Sequence, residues 1–247
     1  IIVWRDIRNG VDYDLYAQRI NATGAVQWTP NGVAIVAAAN IQEAAVLISD
    51  GAGGAVITWR DYRNGTDYNI YTQKVNSTGL VQWAVNGVGI VTLAQLQYEQ
   101  RLCGDGAGGA IITWMDYRNG SSFDIFAQRV DALGTVKWPA NGRALCTEAF
   151  AQGLPMIVAD DDGGAIITWY DYRNGIEADI YAQKINANGA SVWVPNGTPV
   201  CINGAEQSSP SAVTDGAGGA IIAWNDSRGL SNYDIYSQRL SSSGTAR

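Results

Sequence analysis

Trp4, Trp59, Trp114, Trp169 and Trp224 stand 55 residues apart, with no insertion or deletion between copies. Trp28, Trp83, Trp138 and Trp193 keep the same step, and the two series account for all nine tryptophans. A fixed period of this length marks a chain built from repeated supersecondary units, each unable to bury its own apolar faces alone. Residues present in every copy then serve the repeat, and chemistry belongs where the copies differ.

Each unit reads as four strands, A to D. In the second copy they are Val46-Leu47-Ile48, then Ala55 to Arg63, then Asn69 to Val75, then Leu80 to Trp83 continuing through Asn86-Gly87 to Val91. β-Branched and aromatic residues fill the runs, Gly, Asn and Asp punctuate them, and no stretch holds a helical period. Strand B is apolar on both faces up to its Trp, as in a strand covered on both sides. The expected fold is all-β: a single domain over residues 1–247, a five-bladed β-propeller of four-stranded 55-residue repeats. Strands B and C occur five times and strands A and D four times. Five whole units would take 275 residues, 28 more than the chain's 247. One D and one A strand are therefore missing from the count. The alternative is four blades plus an extra hairpin. An incomplete blade leaves strand edges with unpaired backbone groups, and a second copy of the chain could cover them.

Composition excludes several functions. Hydrophobic residues make up 47% of the chain, enough for a sizeable core, and no apolar run is long enough to span a membrane. The net charge of −7, without a Lys/Arg cluster, argues against nucleic acid as a partner. There is no histidine, so His-based catalysis and His-ligated zinc are out. Cys103, Cys146 and Cys201 form neither a disulfide framework nor a zinc site and read as small buried apolar residues. Asp160-Asp161-Asp162 lacks the ligand spacing of an EF-hand loop and reads as a solvated turn. No cofactor or metal is expected. The chain opens on Ile inside an apolar run, without a visible targeting signal, as an excised or mature piece would.

Trp, Asp and Arg recur at alternate positions, on one face of strand B. The set is represented by Trp59, Asp61, Arg63 with Gln73, and by Trp114, Asp116, Arg118 with Gln128. It reads first as a hydrogen-bonded framework tying strand B to strand C and the next blade, and second as repeated sugar pockets. The strings Trp114-Met-Asp-Tyr-Arg-Asn-Gly and Asp124-Ile-Phe-Ala-Gln-Arg resemble the tandem W-x-D-x-R-N-G…D-I-Y-A-Q-R repeats of bacterial secreted and cell-surface proteins. That resemblance implies propeller units and a secreted or surface location, and it brings no catalytic set. The Gly-Gly doublet also resembles kelch repeats, and the Asp-Gly-x-Gly-Gly…Thr-Trp string resembles the sialidase Asp-box, apart from its Gly-to-Trp spacing.

Alternate loops of a meander share one end. The A–B and C–D turns are nearly identical between copies, whereas the B–C tips and D–A loops vary, and variable loops on a rigid scaffold are where binding sits. Tyr13, Tyr68, Tyr98 and Tyr233 are candidates for stacking on sugars, and Glu43, Glu99, Glu148 and Glu206 for polar contacts. The expected function is non-enzymatic recognition of a glycan or protein. A spacer without a ligand comes second. A glycosidase using those four Glu comes last, because near-perfect symmetry gives an acid and a base the same environment.

Overall fold

In the computed structural model, which describes residues 1–229 and 232–247, every regular element is a strand. Five antiparallel sheets follow one another along the chain. The first holds β1 (Ile2–Asp6), β2 (Asp14–Gln18) and β3 (Val33–Val36). The second is β4 (Gln42–Ser49), β5 (Ala55–Asp61), β6 (Asn69–Val75) and β7 (Val88–Val91). The third is β8 (Gln97–Gly104), β9 (Ala110–Asp116), β10 (Asp124–Val130) and β11 (Arg143–Cys146). The fourth is β12 (Gln152–Ala159), β13 (Ala165–Asp171), β14 (Asp179–Ile185) and β15 (Thr198–Cys201). The last holds β16 (Gln207–Thr214), β17 (Ala220–Asp226) and β18 (Asp234–Leu240). Each sheet is a simple meander, and the inner strands β4, β8, β12 and β16 pack against one another in sequence. Sheets set face to face around their inner strands make a β-propeller, and each sheet is a blade.

The core lies between blades. Trp59, Trp114 and Trp169 are fully buried with the isoleucines of strand B, and each apolar cluster draws on two successive blades. The second tryptophan series is a bolt between blades: Trp28 donates its indole N–H to the Ser77 carbonyl at 3.0 Å, and Trp83 repeats this to Ala132 at 3.0 Å.

Two strand limits differ from the sequence expectation. Strand D is only Val88–Val91; Trp83 lies in the loop before it, and Val81 makes an isolated bridge to Val75. Strand A begins at Gln42, inside the stretch read as the D–A loop. It was hidden because its pairing slips between Glu43 and Val46, breaking the period of two. The residue at the bulge is left-handed in every copy: Ala44 (φ 52°), Glu99 (53°), Leu154 (46°) and Ser209 (51°). Cys103 and Cys146 are buried as expected, while Cys201 is only partly so. Asp160 is buried against Lys184 rather than solvated.

Candidate functional site

The D–A loop of each blade meets the B–C tip of the blade before it. The Gln42 amide donates to Tyr13, Gln152 to Phe123 and Gln207 to Ala178, each at 2.8 Å. All the variable segments therefore sit at one end of the propeller.

The framework set lies beneath them, within each blade. Asp61 is fully buried and accepts from the Trp59 indole at 2.7 Å, the Arg63 amide at 2.9 Å and Arg63 Nε at 2.8 Å. The Arg63 guanidinium lies 3.7 Å above the Tyr71 ring and donates to the Asn86 carbonyl. Asp116, Trp114 and Arg118 repeat this over Phe126. Gln73 and Gln128 instead accept from Trp83 and Trp138 amides at 3.0 Å and donate to Ala84 and Pro139, clamping the C–D loop. These partners saturate the set and leave little for a ligand. None of these contacts crosses to the next blade; the second tryptophans do that.

The copies diverge at one cross-strand pair. At the same register position blade two has Glu43 opposite Arg60, blade three Tyr98 opposite Met115, blade four Gly153 opposite Tyr170, and blade five Ser208 opposite Asn225. Glycine in blade four makes room for Tyr170, because a Cβ at Gly153 would overlap its ring.

Around this level the named candidates gather into two groups. Glu43 is pinned by Arg60 at 2.8 Å and Arg5 at 3.1 Å. Arg60 lies between the Tyr68 and Tyr98 rings, at 5.0 and 4.8 Å, and Arg5 lies 4.9 Å over Tyr13. An unbroken aromatic run joins Tyr62, Tyr68, Tyr98, Phe123 and Tyr117 at centroid spacings of 5.0–6.2 Å. It leads to an open pocket of ≈ 370 Å³ lined by Phe123, Phe150 and Tyr172.

The second group centres on blade four. Glu206 accepts from the Tyr172 hydroxyl at 2.7 Å and the Ala178 amide at 3.2 Å. The bond to this carboxylate pushes the Tyr172 phenol up to about 12. Burial raises the Tyr170 phenol, and the charges of Glu206 and Glu99 raise it further. Carboxylates from blades three and five thus both act on the same phenol. Glu99 pairs with Arg101 at 3.0 Å, both side chains partly exposed. Tyr233, mostly exposed, shares a second pocket with Glu206. Glu148 stands apart, accepting from Asn196 at 2.7 Å. The four Glu also occupy four different repeat positions rather than one. Among the described residues no group of three or more His, Cys, Asp or Glu converges as a metal site, and no helix is long and apolar enough to cross a membrane.

Arg60, Tyr62, Tyr117, Tyr170 and Tyr172 are not singled out by the sequence, whereas Phe123 falls in one of its variable B–C tips. A signal for two of them was present: Arg60 and Tyr170 fill the middle of the otherwise invariant Trp-x-Asp, which reads Arg, Arg, Met, Tyr and Asn across the copies.

No protein-family model matches the chain, and no characterised protein matches it in sequence. Solved structures do. An α-L-arabinofuranosidase of Fusarium graminearum, in complex with arabinobiose, superposes with a TM-score of 0.55 at 12% identity, over 83% of this chain and 65% of that one. An α-L-arabinanase of Penicillium chrysogenum, also with arabinobiose, gives 0.51 at 11% identity, over 83% and 66%. A protein of unknown function from Dyadobacter fermentans gives 0.51 at 10%, over 82% and 66%. The chain spans about two thirds of the length of these structures. At such identities the likeness carries the fold.

The comparisons nonetheless correct the order of the functional readings. Non-enzymatic recognition was placed first and a glycosidase last, yet the arabinofuranosidase and arabinanase are glycosidases on this scaffold. The expectation that the chain is not an enzyme is overturned with it. The physical fault lies in the symmetry argument. The repeat is symmetric in its framework, but the Glu43, Tyr98, Gly153 and Ser208 pairs give each blade a different environment at the variable end.

Proposed function

We propose that the chain is a glycoside hydrolase acting on a pentose-containing polysaccharide, with its blades occupying five positions of a ring and its site at the variable end. The observation that carries this reading is Glu206, bonded to Tyr172 in the wall of the pocket that the aromatic run reaches, with Glu99 of blade three acting alongside it on the Tyr170 phenol. Two carboxylates around one glycosidic bond are what hydrolysis requires. Glu206, held by a donor on each oxygen, takes the place of the base or nucleophile. Glu99 is the proton donor. Its pair with Arg101 is partly exposed and worth about 0–1 kcal/mol, so a bound sugar can displace Arg101 at small cost. Glu43, held by two guanidiniums, is instead a fixed hydrogen-bond acceptor for hydroxyls. Tyr13, Tyr68, Tyr98 and Tyr233 supply faces for sugar rings. A polymeric substrate of this kind is met outside the cell, in keeping with a secreted or surface location.

Reducing-sugar release from linear arabinan, arabinoxylan and xylan tests the reading. The wild-type chain is expected to cleave at least one of them, and Glu99→Gln and Glu206→Gln to lose about a hundredfold or more. A folded wild-type chain that releases nothing from the panel sinks it.

A further inference from the structure

The D-I-Y strings hold an acid that the site does not use. Asp14, Asp124 and Asp179 open strand C in blades one, three and four; blade two has Asn69 in the same place. All four are at most 5% exposed. In each Asp copy an Asn of the preceding turn donates to Oδ2: Asn9 at 3.0 Å, Asn119 at 2.9 Å and Asn174 at 3.2 Å. Oδ1 of all three is buried without a hydrogen-bond partner.

A second set of orphan atoms stands on the neighbouring blade. Gln42, Gln152 and Gln207 are fully buried, and their amide N–H groups are spent on carbonyls of their own D–A loops, such as Ala39 and Asn40 for Gln42. Their Oε1 atoms have no donor. Each such Gln follows one Asp, its backbone amide bonded to the residue immediately before that Asp.

Blade two shows what the gap between these oxygens accepts. There Asn69 donates its side-chain amide to Gln97 Oε1 at 3.4 Å and to the Leu93 carbonyl at 3.2 Å. Neither Asn69 nor Gln97 is left with an orphan atom. The one chemical difference is that the side chain carries a donor where the Asp copies carry a bare oxygen.

We infer that Asp14, Asp124 and Asp179 are proton-binding sites between blades, each held as a neutral carboxylic acid whose O–H donates to the Gln of the next blade. A protonated Asp has nearly the shape of Asn and puts a donor at the same place. Two facing acceptors with no proton between them would each bear the cost of a buried unsatisfied group. The carboxylates around each of the three act in the same sense, opposed in each case by one guanidinium. Asp14 faces Asp12 and Asp6 against Arg8; Asp124 faces Asp116 against Arg118; Asp179 faces Asp171 and Glu177 against the Asn203 backbone amide and Arg173. The Gln residues across the boundary are neutral. Burial is the largest cause raising all three, and Asp124 is pushed up to about 6.

The sign follows from linkage. A carboxyl raised in the folded state from its usual 3.8 stabilises fully below that value and loses its contribution as pH rises through about 6 for Asp124. For each proton retained only by the folded chain, the unfolding equilibrium constant rises about tenfold per pH unit in that window. Asp131 and Asp226 are lowered by their partners and govern the opposite limb, below the ordinary carboxylate range.

The test is denaturant unfolding of the full chain between pH 4 and 8 for wild type, D14N, D124N, D179N and the triple variant. Wild type is expected to lose stability as pH rises. The triple variant is expected to have a flat profile and a higher midpoint than wild type at pH 8. N69D should steepen the loss, which keeps the test alive if the triple variant does not fold. Infrared spectra at pH 5 should show a protonated-carboxyl band that is stronger in wild type than in the triple variant. Asn variants less stable than wild type at pH 8 overturn the inference. So does a stabilisation by added calcium or sodium that only the wild type shows, since the gap would then hold a cation.

Discussion

A buried carboxylate that gathers several donors cannot be removed without stranding all of them. Asp116 is fully buried and accepts from the Trp114 indole, the Arg118 amide and two guanidinium nitrogens. Asp116→Ala is expected to cost about 3–5 kcal/mol, because a charge on Arg118 is left facing a cavity. Asp6 accepts from the Trp4 indole, the Arg8 amide and one guanidinium nitrogen in blade one, but its side chain is 17% exposed and that of Arg8 37%, so water can take its place. Asp6→Ala should therefore move the urea midpoint far less. The two midpoints measured side by side check the argument, and equal losses would mean that the motif, not its burial, sets the energy.

Turns and strand ends decide how blades are joined. Gly109 ends the A–B turn of blade three, where a Cβ would overlap the Val130 carbonyl and the Asp131 backbone. Both belong to the strand C side of the same blade, so relief would require unpairing β9 from β10. Gly109→Ala is expected to cost about 3 kcal/mol or more. Gly106, three residues earlier, has φ +74° but open space around it; Gly106→Ala should cost about 1–2 kcal/mol, the ordinary strain of a left-handed alanine. Thermal melts of the two variants separate overlap from strain.

At this same scale the sequence was legible where local chemistry acts alone. Strands B and C could be read from their period and their Gly and Asn stops, and β5 and β6 fall there. The bulge in strand A could not, because Ala44, Glu99, Leu154 and Ser209 share no turn chemistry. Their left-handed turn accompanies the buried Gln just before it, whose side chain is held by loop carbonyls. That bulge displaced the start of strand A and hid the register pair of Glu43 with Arg60. The tyrosines at the tips were legible because they vary. Tyr170 was not, because it sits inside the most regular motif of the chain.

For the whole molecule, the middle blades and the end blades obey different rules, although their sequences obey one. Ile180 of blade four is fully buried against blade five, whereas its counterpart Ile235 is 73% exposed. Ile221 and Val213 of the same sheet are exposed too, and so is Ile2 on the outer side of blade one. These positions carry the residues that elsewhere form the blade interface, so both end faces are apolar surfaces of the same design. Ile180→Lys must bury an unpaired ammonium and is expected to unfold the chain. Ile235→Lys should stay within about 0.5 kcal/mol of wild type. The same exposed faces are also suited to meet those of a second copy. Light scattering at rising concentration should then show a mass above the monomer, and the Ile2→Lys, Ile235→Lys double variant should return it to the monomer. A wild-type mass that stays monomeric at every concentration would mean that the end faces do not pair with each other, even though each reproduces one side of a contact that holds four times within the chain.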